Sequence, residues 1–219
     1  PVDIDFGDVS VAMRNFLRKQ NKKRTSPGTL AAMTYLNLKD PATIKLMRFG
    51  MMEFSFKAQR LAHKAAKAIG LLQDTRAHPP ASLGAPSVKT QVIHFLNRPM
   101  PGNLPKRTSR ARLDIEDDKV IPVIRNPQKT TEESDAVFYF PGCGSERLFS
   151  QVGLATQAML YEIGATTVLP PGYLCCGYPQ TSSGDEDKGQ KITTDNRVLF
   201  HRVANTLNYL DIKTVIVSC

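Results

Sequence analysis

The 219-residue chain is 41% hydrophobic and 22% charged, which supplies apolar matter for a core and excludes disorder throughout. Its net charge of +9 is uneven: residues 1–130 hold 23 Lys and Arg against 10 Asp and Glu, and residues 131–219 hold 6 against 10. No apolar run approaches the roughly 18 residues of a membrane-spanning helix, and the basic residues are not interleaved with aromatic stacking platforms, so no nucleic-acid motif is present.

Residues 1–70 read as a helical segment. Asp8 is the expected cap of a first helix with Val9, Met13, Phe16 and Leu17 on its apolar face. Its last turn runs into Arg18-Lys19, with Lys22-Lys23-Arg24 beyond, where cations suit the helix dipole. Ser26-Pro27 and Asp40-Pro41 both read as an N-cap followed by proline at the first helical position. The first opens a helix carrying Leu30, Met33 and Leu36. The second opens a long one with Ile44, Leu46, Met47, Met51, Phe54, Phe56, Leu61 and Ala65, stopped by Gly70.

Residues 71–133 change character. Eight of the fifteen prolines lie between Pro79 and Pro127. One short helix is predicted around Val88–Asn97. The remainder, including the basic run Lys106–Arg112, reads as an extended connector lying on the surface of another unit.

Residues 134–219 alternate strand and helix. Ala136–Phe140 is a short apolar strand ended by Pro141-Gly142. A helix follows with Leu148, Val152, Ala155, Met159 and Ile163 at helical spacing, stopped by Gly164. Thr166–Leu169 is a second strand, ended by Pro170-Pro171-Gly172. A further helix carries Ile192, Leu199, Val203 and Leu207, and Thr214–Val217 is a third strand that reads as buried. This order predicts an α/β fold: an N-terminal helical segment, an extended Pro-rich connector, and a parallel β-α-β-α-β unit. The chain starts at Pro1 without a signal pattern and stops within the last strand, so it is expected to be a piece of a longer protein, cut at both ends.

All four cysteines fall in this last region, and each follows a strand: Cys143 after the first, Cys175-Cys176 in the loop after the second, Cys219 at the end of the third. In a parallel sheet these ends share one edge, where open α/β sheets bind their ligands, so thiols remote in sequence are expected to converge. Thiolates are soft ligands suited to iron–sulfur clusters, zinc or Cu(I). Gly142, Gly144 and Gly177 beside them suit backbone that bends near a bulky group, and their amides can donate to cluster sulfurs. Four thiolates could equally close a structural zinc site. Metal-free thiol–disulfide chemistry at Cys175-Cys176 is a third reading, set against it by the lack of a complete Cys-x-x-Cys. His63, His78, His94 and His201 show no ligand spacing, and Asp114–Asp118 and Asp185–Asp187 read as solvated turns.

Phe140-Pro141-Gly142-Cys143, then 31 residues, then Cys175-Cys176-Gly177-Tyr178-Pro179 and a later Cys219 resemble the CCG cysteine-rich domain of heterodisulfide reductase B subunits and of the iron–sulfur subunits of lactate, glycolate and glycerol-3-phosphate dehydrogenases. The resemblance covers residues 134–219. It implies that Cys143, Cys175, Cys176 and Cys219 hold the iron of a [4Fe-4S]-type cluster, cubane or non-cubane. The start, Pro1–Val9, with the Asp40–Lys45 helix opening, is similar to bacterial flavin-linked oxidoreductases of the D-lactate dehydrogenase kind, in which a ferredoxin-type cluster domain precedes this point. That likeness implies an iron–sulfur electron-transfer segment, not catalytic alone. FAD and ferredoxin-type [4Fe-4S] clusters would lie in other parts of the parent chain, and a quinone, disulfide or protein would accept electrons. It implies a cytoplasmic location, where basic residues 1–70 could dock on the inner face of an anionic membrane.

Overall fold

The computed structural model describes residues 5–23, 25, 27–72 and 88–218. They pack as two compact units, residues 1–44 with 107–219, and residues 45–106.

In the first unit, helix α1 spans Phe6–Lys19, α2 Pro27–Asn37, and α3 begins at Pro41 and runs to Arg48. The cap of α1 is Asp5, not Asp8: the Asp5 carboxylate accepts from the amides of Gly7 (2.7 Å) and Asp8 (3.2 Å). The expected apolar face of α1 is not covered, since Val9, Met13 and Phe16 are exposed and Asn15 is the buried residue. Periodicity states which residues share a face; it does not state what covers that face. Asp40 caps α3 as the sequence indicates, accepting from the Thr43 amide at 2.7 Å. Ser26 lies outside the described residues.

The sheet has the order β1-β3-β2-β4, with β1 Val123–Ile124, β2 Ala136–Phe140, β3 Thr166–Val168 and β4 Thr214–Val217. Strands β2, β3 and β4 run parallel, with Phe138 opposite Val168 on one side and Val215 on the other. The sheet is mixed, because β1, absent from the sequence reading, adds antiparallel to β3. Two residues are too few to leave a periodic trace.

Alternation along β2 divides the core between the two faces. Val137 and Tyr139 pack with Leu160, Ala165 and Leu169. Phe138 and Phe140 pack with Val168, Val203 and Phe200, the Phe138 and Phe200 rings 4.7 Å apart. Each fully buried Val, Leu or Phe among them contributes about 1.5–3 kcal/mol by leaving water. Helix α9 (Glu186–Thr206) meets this second face through Leu199 and Val203, as expected.

Three expectations are corrected. On α7 (Ser150–Glu162) and just past its end, Val152, Met159 and Ile163 are exposed, and Gly153, Gln157 and Leu160 face inward. Strand β4 pairs only with β2 among the described residues, so it is an edge, with Val215 and Val217 exposed. The basic run is not wholly extended: Ser109–Leu113 forms helix α6, capped by the Thr108 hydroxyl accepting from Ala111 N at 3.1 Å, and Ser109 and Arg110 are buried.

In the second unit the helix entered at α3 passes through a π-helical stretch, Phe49–Phe54, into α4 (Ser55–Ala68). The Ser55 hydroxyl donates to the Gly50 carbonyl, five residues back, at 2.8 Å, a spacing that suits the wider turn. Helix α5 (Val88–Leu96) lies where the sequence indicates one. Gln59 fastens the segment after it: its amide donates to the carbonyls of Phe95 (2.9 Å) and Arg98 (2.7 Å), and its carbonyl accepts from Met100 N. His63 packs here, Nδ1 against the Leu96 carbonyl at 2.7 Å. His78 lies outside the described residues. Among the described residues, no helix is long and apolar enough to cross a membrane.

Candidate metal centre

Because β2, β3 and β4 run parallel, the loops leaving them share one edge of the sheet. Cys143 follows β2 through Pro141 and Gly142, whose φ of 70° lets the chain turn. Cys175 and Cys176 follow β3, and the chain reverses at Gly177 with φ 89°. Gly144 has no positive φ, and a Cβ there would meet nothing within 4 Å. Cys143 and Cys175 are 4% and 5% exposed, and Cys176 is half-buried.

The Cys175 thiol lies within reach of the thiols of Cys143 and of its sequence neighbour Cys176. The loops after β2 and β3 therefore bring Cys143 and Cys175 close. The Cys175 thiol is held above its ordinary range, first by its bond with Cys143 and then by burial; the bond with Cys176 and the Gly177 amide pull the other way. Its sulfur also donates to Gln180 Oε1 at 3.7 Å. Cys219 lies outside the described residues. Its neighbour Ser218 is tied to the same edge: its hydroxyl donates to the Pro141 carbonyl at 3.1 Å, and its carbonyl accepts from the Ser145 hydroxyl at 2.7 Å.

Helix α9 braces the double-cysteine turn. Asn196 Nδ2 donates to the Cys175 carbonyl at 2.7 Å, and the Thr193 hydroxyl to the Cys176 carbonyl at 3.1 Å. The approach needs glycine on both sides: a Cβ on Gly177 would stand 2.5 Å from the Gly189 carbonyl oxygen, and one on Gly189 3.0 Å from the Gly177 carbonyl oxygen.

A buried charge cluster, missed in the sequence, lies behind the cysteines. Arg147 is fully buried at the end of the π-helical turn Gly144–Leu148. Its NH1 donates to the Tyr35 carbonyl of α2 at 2.8 Å, its guanidinium stands 5.3 Å from the centre of the Tyr173 ring, and the Cys143 and Cys175 thiols lie within its electrostatic reach. Burial pulls this guanidinium below its ordinary range, and Glu146 opposes the pull. Glu146 is ion-paired with Arg110 of α6; both are almost fully buried. Arg110 NH2 donates to the Pro170 carbonyl at 2.7 Å, and its guanidinium lies 5.6 Å from the Tyr173 ring centre. The Tyr173 hydroxyl donates to Glu116 at 2.6 Å and shares a hydrogen bond with Thr108. Burial, then the bond to Glu116, raises its pKa. The one sequence signal for Arg147 was its place four residues after Cys143.

Asp185 is no free turn residue: it pairs with Arg18 at 3.0 Å. Among the described residues, no three Cys, His, Asp or Glu stand in an arrangement that could hold a metal ion. The donor type at this edge is the one a soft metal takes, thiols on two tightly turned loops with a buried cation beside them.

Residues 137–219 match the family model of the CCG cysteine-rich domain. A domain of this kind suggests a metal-binding, redox-related module, and such domains are found in oxidoreductase subunits. No curated protein and no solved structure matches the chain.

Proposed function

We propose that residues 134–219 hold a [4Fe-4S]-type cluster through Cys143, Cys175, Cys176 and Cys219, and that the chain is an iron–sulfur electron-transfer segment of a flavin-linked oxidoreductase. When bound, such a cluster supplies one-electron transfer. The observation that supports the reading is the approach of the Cys175 thiol to Cys143, across the ends of parallel strands, and to Cys176, within the segment that matches the CCG model. The residues around them have definable work. Gly142 and Gly177 let the loops turn, the Gly177 amide donates to the Cys175 sulfur, and Asn196 and Thr193 hold the two cysteine carbonyls. Arg147 offsets negative charge on thiolates, which a metal requires in deprotonated form.

In the parent protein, electrons would come from a flavin-oxidised 2-hydroxy acid of the D-lactate type, through ferredoxin-type clusters, and leave to a quinone, disulfide or protein acceptor. The basic N-terminal helices suit a peripheral site on anionic membrane.

The test is metal and sulfide analysis of protein prepared without oxygen. Iron with acid-labile sulfide and a brown colour, lost in Cys176→Ala, supports the reading. Zinc without iron or sulfide replaces it with a structural assembly module. A colourless, metal-free preparation overturns both.

A further inference from the structure

Next to the cysteine edge, in the same unit, lies a cavity of about 340 Å³ that the electron-transfer reading does not use. Its walls come from the end of α1, the start of α2 and the turn after helix α8 (Tyr178–Ser182). Arg14, Arg18, Lys23 and Lys188 line it against one carboxylate, Asp185, a local excess of +3. Leu30 and Met33 supply an apolar wall.

Three of these cations are positioned rather than loose. Arg14 NH1 donates to the Ser182 carbonyl at 2.9 Å, Lys23 Nζ to the Ser183 carbonyl, and Arg18 pairs with Asp185. Gly184 makes this approach possible: at φ 93°, a Cβ there would stand 2.8 Å from the Arg14 carbonyl oxygen. Burial first, then the charges of Arg14 and Arg18, holds the Lys23 pKa below its ordinary range.

Gln180, 1% exposed, closes the inner end of the cavity, its Oε1 accepting from Cys175.

We propose that this cavity binds a small organic polyanion, its phosphate or carboxylate oxygens taken by Arg14, Lys23 and Lys188 and its short carbon body set against Leu30 and Met33. Charge-assisted bonds supply the affinity. The site needs no metal, so it stands or falls apart from the cluster reading.

Isothermal titration of the full chain at about 0.1 M salt, with pyrophosphate, citrate and glycerol as separate probes, tests it. Saturable one-site binding of pyrophosphate or citrate, with no heat from glycerol, is expected, and the tighter binder identifies the head group. Lys23→Gln and Lys188→Gln should each weaken that binding by about fivefold to tenfold with unchanged melting temperature. Absence of saturable binding of either anion overturns the proposal. So does binding that both lysine variants leave unchanged, because it would then be carried elsewhere on a basic surface.

Discussion

Gly177 and Gly144 flank the cysteines alike in sequence, yet alanine should affect them differently. At Gly177 the backbone has φ 89°, and the new Cβ would press within 2.5 Å of the Gly189 carbonyl and 3.0 Å of the Thr193 hydroxyl. The left-handed conformation costs an L residue about 1–2 kcal/mol, and forcing the turn away from α9 adds about 1–3 kcal/mol of overpacking. The first obstacle is backbone, not a side chain that swings away. Gly177→Ala should therefore destabilise by about 2–5 kcal/mol in sum. Gly144→Ala, with an ordinary φ and open space, should stay within about 0.5 kcal/mol of the parent. Urea unfolding by far-ultraviolet circular dichroism gives the overall change. Hydrogen exchange of the Val137–Phe140 amides assigns it to this unit rather than to residues 45–106. If the two variants differ by less than about 1 kcal/mol, the glycine-to-glycine approach does not govern the turn.

Arg110→Met should cost about 3–5 kcal/mol, because it strands the Glu146 carboxylate in the interior; adding Glu146→Leu should recover part of that loss, and no recovery in urea melts would refute the pairing. Arg147→Met removes the buried cation beside Cys143 and Cys175 and should lower the reduction potential of an iron-loaded centre; a potentiometric titration followed by electron paramagnetic resonance would count against this if the midpoint stays put. Asp40 is held below the ordinary 3.8 first by the Thr43 hydroxyl and then by the Thr43 amide. A carboxyl depressed in the folded state contributes stability above its unfolded value, lost as pH falls through the folded one. Asp40→Asn should therefore flatten the stability profile below about pH 4, and parallel acid-unfolding curves for parent and variant would exclude the cap's role.

Local chemistry wrote much of this fold into the chain. The run Ala136–Phe140 is β-branched and aromatic, Pro141-Gly142 cannot extend it, and strand-helix alternation after it implies parallel strands whose ends share an edge. From that alone the cysteines at 143 and 175 had to approach one another, and the Cys175 thiol does meet the Cys143 thiol. What no pattern could disclose is which surfaces are covered and which charges go inside. Met159 and Ile163 sit at helical spacing like core residues and are exposed, while Gln157, two positions before Met159, is buried. Arg110 reads as one more cation in a basic run; it is buried because Glu146, 36 positions away, folds against it. Burying a charge depends on a partner brought close by packing, and the distance along the chain carries no trace of that meeting. The same holds for Arg14, Lys23 and Gln180, remote in sequence and gathered around one cavity by a helix whose place depends on the missing side chain of Gly184.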